Sequence, residues 1–532
     1  MQKFLIVLFT LLLSMPKALA MNVDAFIDQN LAPVTNAIAN LIFFPMPGTE
    51  VPIIIFWILF AGIFFTFYFR GLSVWGFKHA IDTVISHDKD HADNHGHKEG
   101  NTGEVSSLQA LATALSGTIG IGSIAGVAIS ISIGGPGAAF WIFAGALLGM
   151  SIKFVEAAAA VKYRRFNLDG SVSGGPMHYI SHGLTRKKLR PLGQTLAVLF
   201  ATLCIGGAIT GGNMIQINQS AHQLVHITGG EASFLHGCTW IFGLVVAVLV
   251  GASVVGGIKS IAKVTSILVP SMCFLYIGAS LVVILAHFAN IPHALGVIVK
   301  EAFAPEAVAG GVFGTIIIGL RRSVQSNEAG TGAAAIAYAA VKTKEPISQG
   351  FVSILETFLT GVLCLLSSFA IVFSGSYLNQ HEGVSGIELA SSAFQSVIPF
   401  FPIILSVVVI LFALSTLISW AYYGQKAWNF LFGEGKKRNL TFNIIYCLFI
   451  VIGSAMNVKS IIDITDAMMI AMSIPNLITL YILAPEIKND LMDYCRRFKV
   501  GTWIYRDKLA KLEPVPVAVT VEEEEETCPI SK

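Results

Sequence analysis

The stretch "LSGTIGIGSIAGVAISISIGGPG", residues 115–137, lies in an apolar segment long enough to cross a bilayer, yet its first half carries Gly117, Gly120, Gly122 and Gly126. Glycine in a helix interior is about 1 kcal/mol worse than alanine. Two readings compete. Small residues four apart let helices pack closely, and Gly122 and Gly126 have that spacing. Alternatively the helix is broken here, because non-helical backbone at membrane depth survives where it lines a cavity or is buried in protein.

A second stretch favours the break. Residues 319–332, "GLRRSVQSNEAGTG", interrupt another apolar segment with Arg321, Arg322, Asn327, Glu328, Gly330 and Gly332. A broken helix exposes free N–H groups on one half and free C=O groups on the other. The first suit a carboxylate and the second a Na⁺ ion.

Composition sets the class. Of 532 residues, 54% are hydrophobic and 12% charged, against about 25% charged in soluble domains. Mean hydropathy is +0.71. The chain is an all-α polytopic membrane protein. Its net charge of +2 does not point to nucleic acid, since the charges sit at the ends of spans. No nucleotide-binding loop, catalytic constellation, haem or iron–sulfur signature is present, so neither ATP drive nor enzymatic activity is expected. Cys204, Cys273, Cys364 and Cys447 fall in apolar segments, and no disulfide framework is visible.

Residues 1–20, "MQKFLIVLFTLLLSMPKALA", read as a cleavable secretory signal ending Ala18-Leu19-Ala20, or else as an uncleaved extra span. About eleven spans follow, near 51–69, 108–133, 138–163, 194–216, 238–256, 266–288, 309–339, 350–373, 401–424, 440–457 and 463–485. With the mature N-terminus outside, the inside loops hold Arg70, Lys78, Lys162, Arg164, Arg165, Arg186, Lys187, Lys188, Arg190, Lys259, Lys263, Lys342, Lys344, Lys436, Lys437 and Arg438. The outside loops hold Lys300 and Lys459. This positive-inside bias places the C-terminus in the cytoplasm.

With the first span and its loop (21–107) set aside, ten spans divide into 108–288 and 309–485, followed by a tail, 486–532. Five is odd, so the second set enters with opposite orientation, which permits a 5+5 inverted repeat with one extra N-terminal span.

At these residues the chain resembles the alanine or glycine:cation symporters. The resemblance is carried by "GIGSIAGVAISISIGGPGAAFWIFAGALLGMSIKFVEAAAAVKYR", "SGGPMHYI" (173–180), "GGNMIQINQ" (211–219), "GGIKSIAKVTSILVPSMCFLYI" (256–277), "SNEAGTGAAAIAYAAVKTKEPISQG" (326–350) and "STLISWAYYGQKAWNFLFG" (415–433). It implies the leucine-transporter-like fold of the amino acid–polyamine–cation superfamily, Na⁺ as coupling ion and a small amino acid as substrate. With the signal it also implies a bacterial inner membrane, with a monomer sufficient for transport. The family usually has Gly-Thr-Gly-Asn where this chain has Gly120-Ile121-Gly122-Ser123, and an Asp near Thr360.

The resemblance further implies site residues. Amides of Ile121, Gly122 and Ser123 would hold the substrate carboxylate, Gly120 would belong to the same substrate site, Gln216 would contact substrate, and Trp420 would occlude the pocket. Ser116, Thr118, Ile119, Ser123, Ser415 and Thr416 would surround Na⁺. Ile121 supplies an amide as well as Thr does, whereas Ser123 offers a shorter oxygen than Asn. Arg322 and Glu328 are assigned to a gate or a structural ion pair.

Other ionisable residues within or beside spans demand reasons. Lys153 and Glu156, three apart, are expected to pair locally, and Asp463 and Asp466 to complement the dipole at the start of the last span. The loop "HDKDHADNHGHKEG" (87–100) carries His87, His91, His95, His97, Asp88, Asp90 and Asp93, which form either a solvated loop or a transition-metal site. The tail "VEEEEETCPISK" reads as disordered.

The function read from all this is sodium-coupled uptake of alanine or glycine by alternating access. The rivals are proton coupling through Glu328 or Glu356, and a receptor or channel on the same fold; a channel would need a continuous polar lining.

Overall fold

The computed structural model describes residues 33, 37–46, 52–93, 103–167, 170–254, 257–303, 311–379, 386–397, 399–456, 458–502 and 504. The signal, the acidic tail, His95 and His97 lie outside these residues. So do the side chains of His87, His91, Asp88, Asp90 and Asp93, which fall on or beside the end of a described helix. Among the described residues no group of three or more His, Cys, Asp or Glu is placed to hold a metal.

Helix α1 is Ile53–Tyr68, and α2 is Phe77–Asp93. The glycine-rich stretch forms α3, Ser107–Thr118, a 3-10 turn at Ile121–Ser123, and α4, Ala125–Gly134. The two halves are bent by 62°. Helix α5, Ala138–Lys162, leads to a two-stranded antiparallel ribbon, Arg165–Phe166 and Val172–Ser173. Next come α6, Arg190–Ile209, α7, Ile215–Ile227, α8, Thr239–Val254, and α9, Gly257–Ala286.

Helix α10, Ile291–Phe303, precedes the second interrupted segment, which forms α11, Gly311–Asn327, and α12, Ala335–Ala339. It is followed by α13, Pro346–Phe373, and α14, Ile387–Gln395. The chain then continues through α15, Phe401–Phe432, α16, Lys436–Ala455, α17, Val458–Ala471, and α18, Ser473–Phe498. Among the described residues seven helices are long and apolar enough to cross a membrane, or eight with the bent pair counted as one span.

Small residues set the packing. Helices α5 and α13, each following an interrupted segment, lie against one another more extensively than any other pair. A methyl group on Gly361 would come within 2.8 Å of the Ala146 Cβ, and one on Gly350 within 2.8 Å of the Phe154 ring. Close approach of this kind binds helices where lipid supplies no hydrophobic driving force between them. The outer surface is apolar: Ile267, Phe274, Leu285, Ile403 and Val407 are exposed on α9 and α15. Many polar side chains are instead buried, among them Thr113, Ser116, Asn213, Gln216, Ser415 and Asn476.

Several expected boundaries shift for that reason. Span 194–216 does not end at Gln216. A π-helical segment, Thr210–Met214, carries α6 directly into α7. The polar residues Gln216, Asn218, Gln219, Ser220 and Gln223 are buried, so their polarity marks an inward face rather than an exit from the membrane. The second interruption is also shorter than expected. Gly319, Arg321 and Arg322 lie within continuous α11, where Gly319 packs against Trp141, and regular helix stops at Glu328. Helices α10 and α14 were unexpected, and α18 runs thirteen residues beyond the expected end at 485.

Candidate substrate and cation site

The four glycines of the opening stretch separate by what each faces. A methyl group on Gly126 would meet the Arg322 side chain at 2.9 Å, and one on Gly117 the Tyr423 ring at 3.1 Å, so these two serve packing. At Gly120 it would meet the Gln216 Oε1 and Thr416 Oγ1 at 2.8 Å each, while at Gly122 it would meet nothing within 4 Å. Gly120 and Gly122 therefore mark the break itself, with open space at Gly122.

The broken backbone of α3 is completed by α15. The Thr416 hydroxyl donates to the Ser116 carbonyl at 2.9 Å, the Ser116 hydroxyl to the Ser415 carbonyl at 2.8 Å, and the Ser419 hydroxyl to Ser116 Oγ at 2.9 Å. The Trp420 indole N–H reaches the Gly117 carbonyl at 3.3 Å. Positions 416, 419, 420 and 423 recur at helical spacing and line one face of α15. Upstream, α3 is fixed by a capping box between Ser106 and Gln109, a feature worth about 1 kcal/mol.

The expected cation ligands are only partly gathered. Ser116, Ser415 and Thr416 meet, with Ser419 joining them. The Ser415 hydroxyl, however, donates to its own helix at the Phe412 carbonyl, 2.9 Å, so what faces α3 there is its carbonyl. Thr118 turns to the other side, its hydroxyl donating to the Ala114 carbonyl at 3.2 Å and accepting from the Thr360 hydroxyl at 3.5 Å. Ser123 also lies on that side: Ser367 donates to its carbonyl at 2.8 Å, and its own hydroxyl has no partner among the described residues. Helical hydroxyls return to carbonyls three or four residues back, which spacing alone does not distinguish from ligation.

The expected carboxylate-binding amides are likewise divided. The Ile121 N–H is already taken by Gln216 Oε1 at 3.0 Å, and Gln216 Nε2 donates to the Gly211 carbonyl at 3.0 Å. Gln216 thus occupies one amide of the break.

The second break is satisfied by long polar side chains. Glu328, Gly330 and Gly332 all have left-handed backbone, with φ of 56°, 91° and 79°. The Lys153 ammonium donates to the Asn327 carbonyl at 3.0 Å and pairs with Glu356 at 3.1 Å, and Tyr338 also donates to Glu356, at 2.7 Å. Glu156 Oε1 accepts from the Gly330 N–H at 3.0 Å and from Asn476 at 2.7 Å, while Asn476 also donates to the Gly330 carbonyl at 2.8 Å. Lys153 and Glu156 therefore do not pair with each other as expected. They project from one face of α5, and each supplies the unwound backbone with a partner that lipid cannot offer.

The two breaks face a common cavity of about 10 Å³, lined by Gly117, Thr118, Gly120, Gly122, Gln216, Gln325, Glu328, Trp420 and Met469, among others. Roughly one water-sized sphere fills such a volume, so the arrangement is closed. Trp420, 1% exposed, joins the two breaks: its indole N–H also reaches Glu328 Oε1, at 3.1 Å.

Beyond this cavity lies an ion cluster. Arg321 pairs with Asp466 at 2.5 Å and with Asp463 at 3.5 Å, while Arg322 reaches Asp466 at 3.8 Å and Ser130 at 3.2 Å. Asp463 and Asp466 thus answer the arginines of α11 instead of a helix dipole. Arg322 forms an interhelical pair, whereas Glu328 forms no ion pair among the described residues and contacts Trp420. Sequence reasoning missed Asn476, Ser419 and Met469. Asn476 carried a usable signal, as a lone amide in the apolar run "SIPNLITLY".

The opposite end of the bundle is latched. Val105 and Val341 form a parallel bridge, with Glu104 N–H on the Ala340 carbonyl and Lys342 N–H on the Val105 carbonyl, both 2.8 Å. The Arg164 guanidinium donates to the carbonyls of Ala339, Val341 and Thr343. The segments flanking both breaks are thereby tied together. Arg164→Ala is expected to release them: hydrogen exchange at amides 103–106 and 340–343, measured in nanodiscs, should rise at least about tenfold, the loss of 1–2 kcal/mol of protection. Unchanged exchange would remove the latch.

Residues 35–507 match the family described as the sodium:alanine symporter family. The chain is 36% identical over 444 residues to the sodium/alanine symporter AgcS of Methanococcus maripaludis, covering 82% of this chain and 93% of that protein. It is 32% identical over 443 residues to the probable sodium/glutamine symporter GlnT of Bacillus subtilis, covering 83% and 87%. The crystal structure of MhsT in complex with L-phenylalanine aligns over 72% of this chain and 98% of that one, with a TM-score of 0.48 and 14% identity. The family match over residues 35–507 spans nearly every described element, and on it and the 36% identity to AgcS the chain belongs to the sodium:alanine symporter family.

Proposed function

We propose that this protein couples inward movement of Na⁺ to uptake of a small neutral amino acid, alanine or glycine, by alternating access. The observation that carries the reading is the cavity shared by the two breaks. Open space at Gly122 adjoins the N-terminal end of α4, where the helix dipole favours a carboxylate, although the Ser123 N–H is held by the Gly120 carbonyl at 3.2 Å. Gln216 releases the Ile121 amide to the incoming carboxylate. The cation lies at the C-terminal end of α3, held by carbonyls of Ser116 and Ile119 and by the Thr416 hydroxyl. Such neutral oxygens suit an ion that must leave again.

The architecture we propose is eleven spans, α1 plus two inverted sets of five, 108–288 and 309–485. The latch at Val105 and Val341 lies on the cytoplasmic side and the Arg321–Asp466 cluster on the outer side, in a bacterial inner membrane. Rocking of the two sets then opens each end in turn.

The test of the cation site is sodium activation of alanine uptake. In Thr416→Val the half-saturating sodium concentration is expected to rise about tenfold, matching loss of one oxygen ligand. Ser415→Ala should leave it unchanged, because that hydroxyl is spent within its own helix. Equal sodium dependence in wild type and Thr416→Val would displace the site.

A further inference from the structure

Glu328 begins the second break and is 1% exposed. Its Oε1 accepts the Trp420 indole N–H at 3.1 Å, while its Oε2 has no hydrogen-bond partner among the described residues. Of the nearby cations, Lys153 pairs with Glu356 and the Asn327 carbonyl, and Arg322 reaches Asp466 and Ser130 with its Nη1 left unpartnered; neither forms an ion pair with Glu328 among the described residues. Three residues before Glu328, Gln325 is 7% exposed, and its Oε1 is also without a partner. Both side chains line the cavity that Gly120, Gly122 and Gln216 close from the other break.

A carboxylate buried at membrane depth without a cation is costly, and its free oxygen lacks a donor. A primary ammonium brings three N–H donors and no acceptor, which matches two unfilled acceptors on residues lining one cavity. The neutral oxygens assigned to Na⁺ belong to α3 and α15, whereas Gln325 and Glu328 belong to the second break.

We propose that Glu328, with Gln325 beside it, binds the α-ammonium of the substrate, while the Gly122 side of the cavity takes its carboxylate. This assignment rests on the reading that the cavity holds an amino acid. Trp420 acts through Glu328, fixing the carboxylate by its indole N–H, and is a positioning residue in this respect. The cavity then selects for a free ammonium next to a carboxylate, so a 2-hydroxy acid of the same shape is rejected: its hydroxyl brings no charge to Glu328.

The test is calorimetric titration of the full chain, purified in detergent at saturating sodium, with L-alanine and with L-lactate. E328Q keeps an oxygen for the Trp420 indole and removes the charge. Wild type is expected to bind alanine at least about 100-fold more tightly than lactate, the worth of one buried charge-assisted contact. In E328Q alanine should weaken about 30-fold while lactate changes less than about threefold. Undiminished alanine binding in E328Q, or equal weakening of both ligands, would overturn the assignment. So would a shifted sodium requirement with unchanged alanine affinity at saturating sodium, which would give the carboxylate to the cation. If E328Q does not fold, the wild-type pair decides: equal affinity for alanine and lactate overturns the proposal, and the 100-fold preference supports it. Wild type that binds neither ligand overturns the transport reading itself, an outcome distinct from the others.

Discussion

Lys153→Met is expected to destabilise the protein by about 3–5 kcal/mol, because it leaves a buried carboxylate unpaired. Lys153 and Glu356 are 1% and 0% exposed and lie 3.1 Å apart between α5 and α13. The lysine also holds the Asn327 carbonyl where α11 ends. Adding Glu356→Gln removes the stranded charge, and most of the loss should return. Thermal unfolding of the single and double variants in detergent measures both steps. A Lys153→Met protein that unfolds like wild type would show that this pair does not support the second break.

Gly212→Ala should reduce alanine uptake by about 100-fold, the upper end of what overpacking costs, with the protein still folded. A methyl group there would lie 2.1 Å from the Trp420 Cγ and 2.2 Å from its Cβ. Neither atom is the flexible end of a side chain, so the π-helical segment or α15 must move, and the link from Trp420 to Glu328 moves with it. Gly278→Ala is the control, since a methyl group there meets nothing within 4 Å. Normal uptake by Gly212→Ala would mean that this contact does not shape the transport site.

Much of this arrangement was legible in the sequence. Glycines in one apolar segment and charges in another identified two breaks, because both features are costly in a membrane helix and need a reason. The long apolar helices followed from hydropathy, whereas the shorter α10 and α14 did not. What could not be read was direction. Lys153 and Glu156 have the spacing of a local pair, yet each reaches a different atom of the second break. Ser415 and Thr416 are adjacent hydroxyls of similar chemistry, but one turns back into its helix and the other crosses to Ser116. Gln216 appeared to mark the end of a span because its neighbours are polar, and only the packing of α7 against α15 and α16 makes that polarity internal. Asp466 had no visible partner until α17 was placed beside α11. In each case the residue type was informative, while its partner lay far along the chain.

The central claim is that a Na⁺ gradient drives accumulation of a small amino acid through this cavity. Its direct test is uptake of labelled alanine into proteoliposomes under an inward Na⁺ gradient, under a proton gradient without sodium, and under neither. Accumulation above equilibrium with sodium alone is the expected result. Accumulation with the proton gradient alone, or bound alanine that never accumulates, would contradict it.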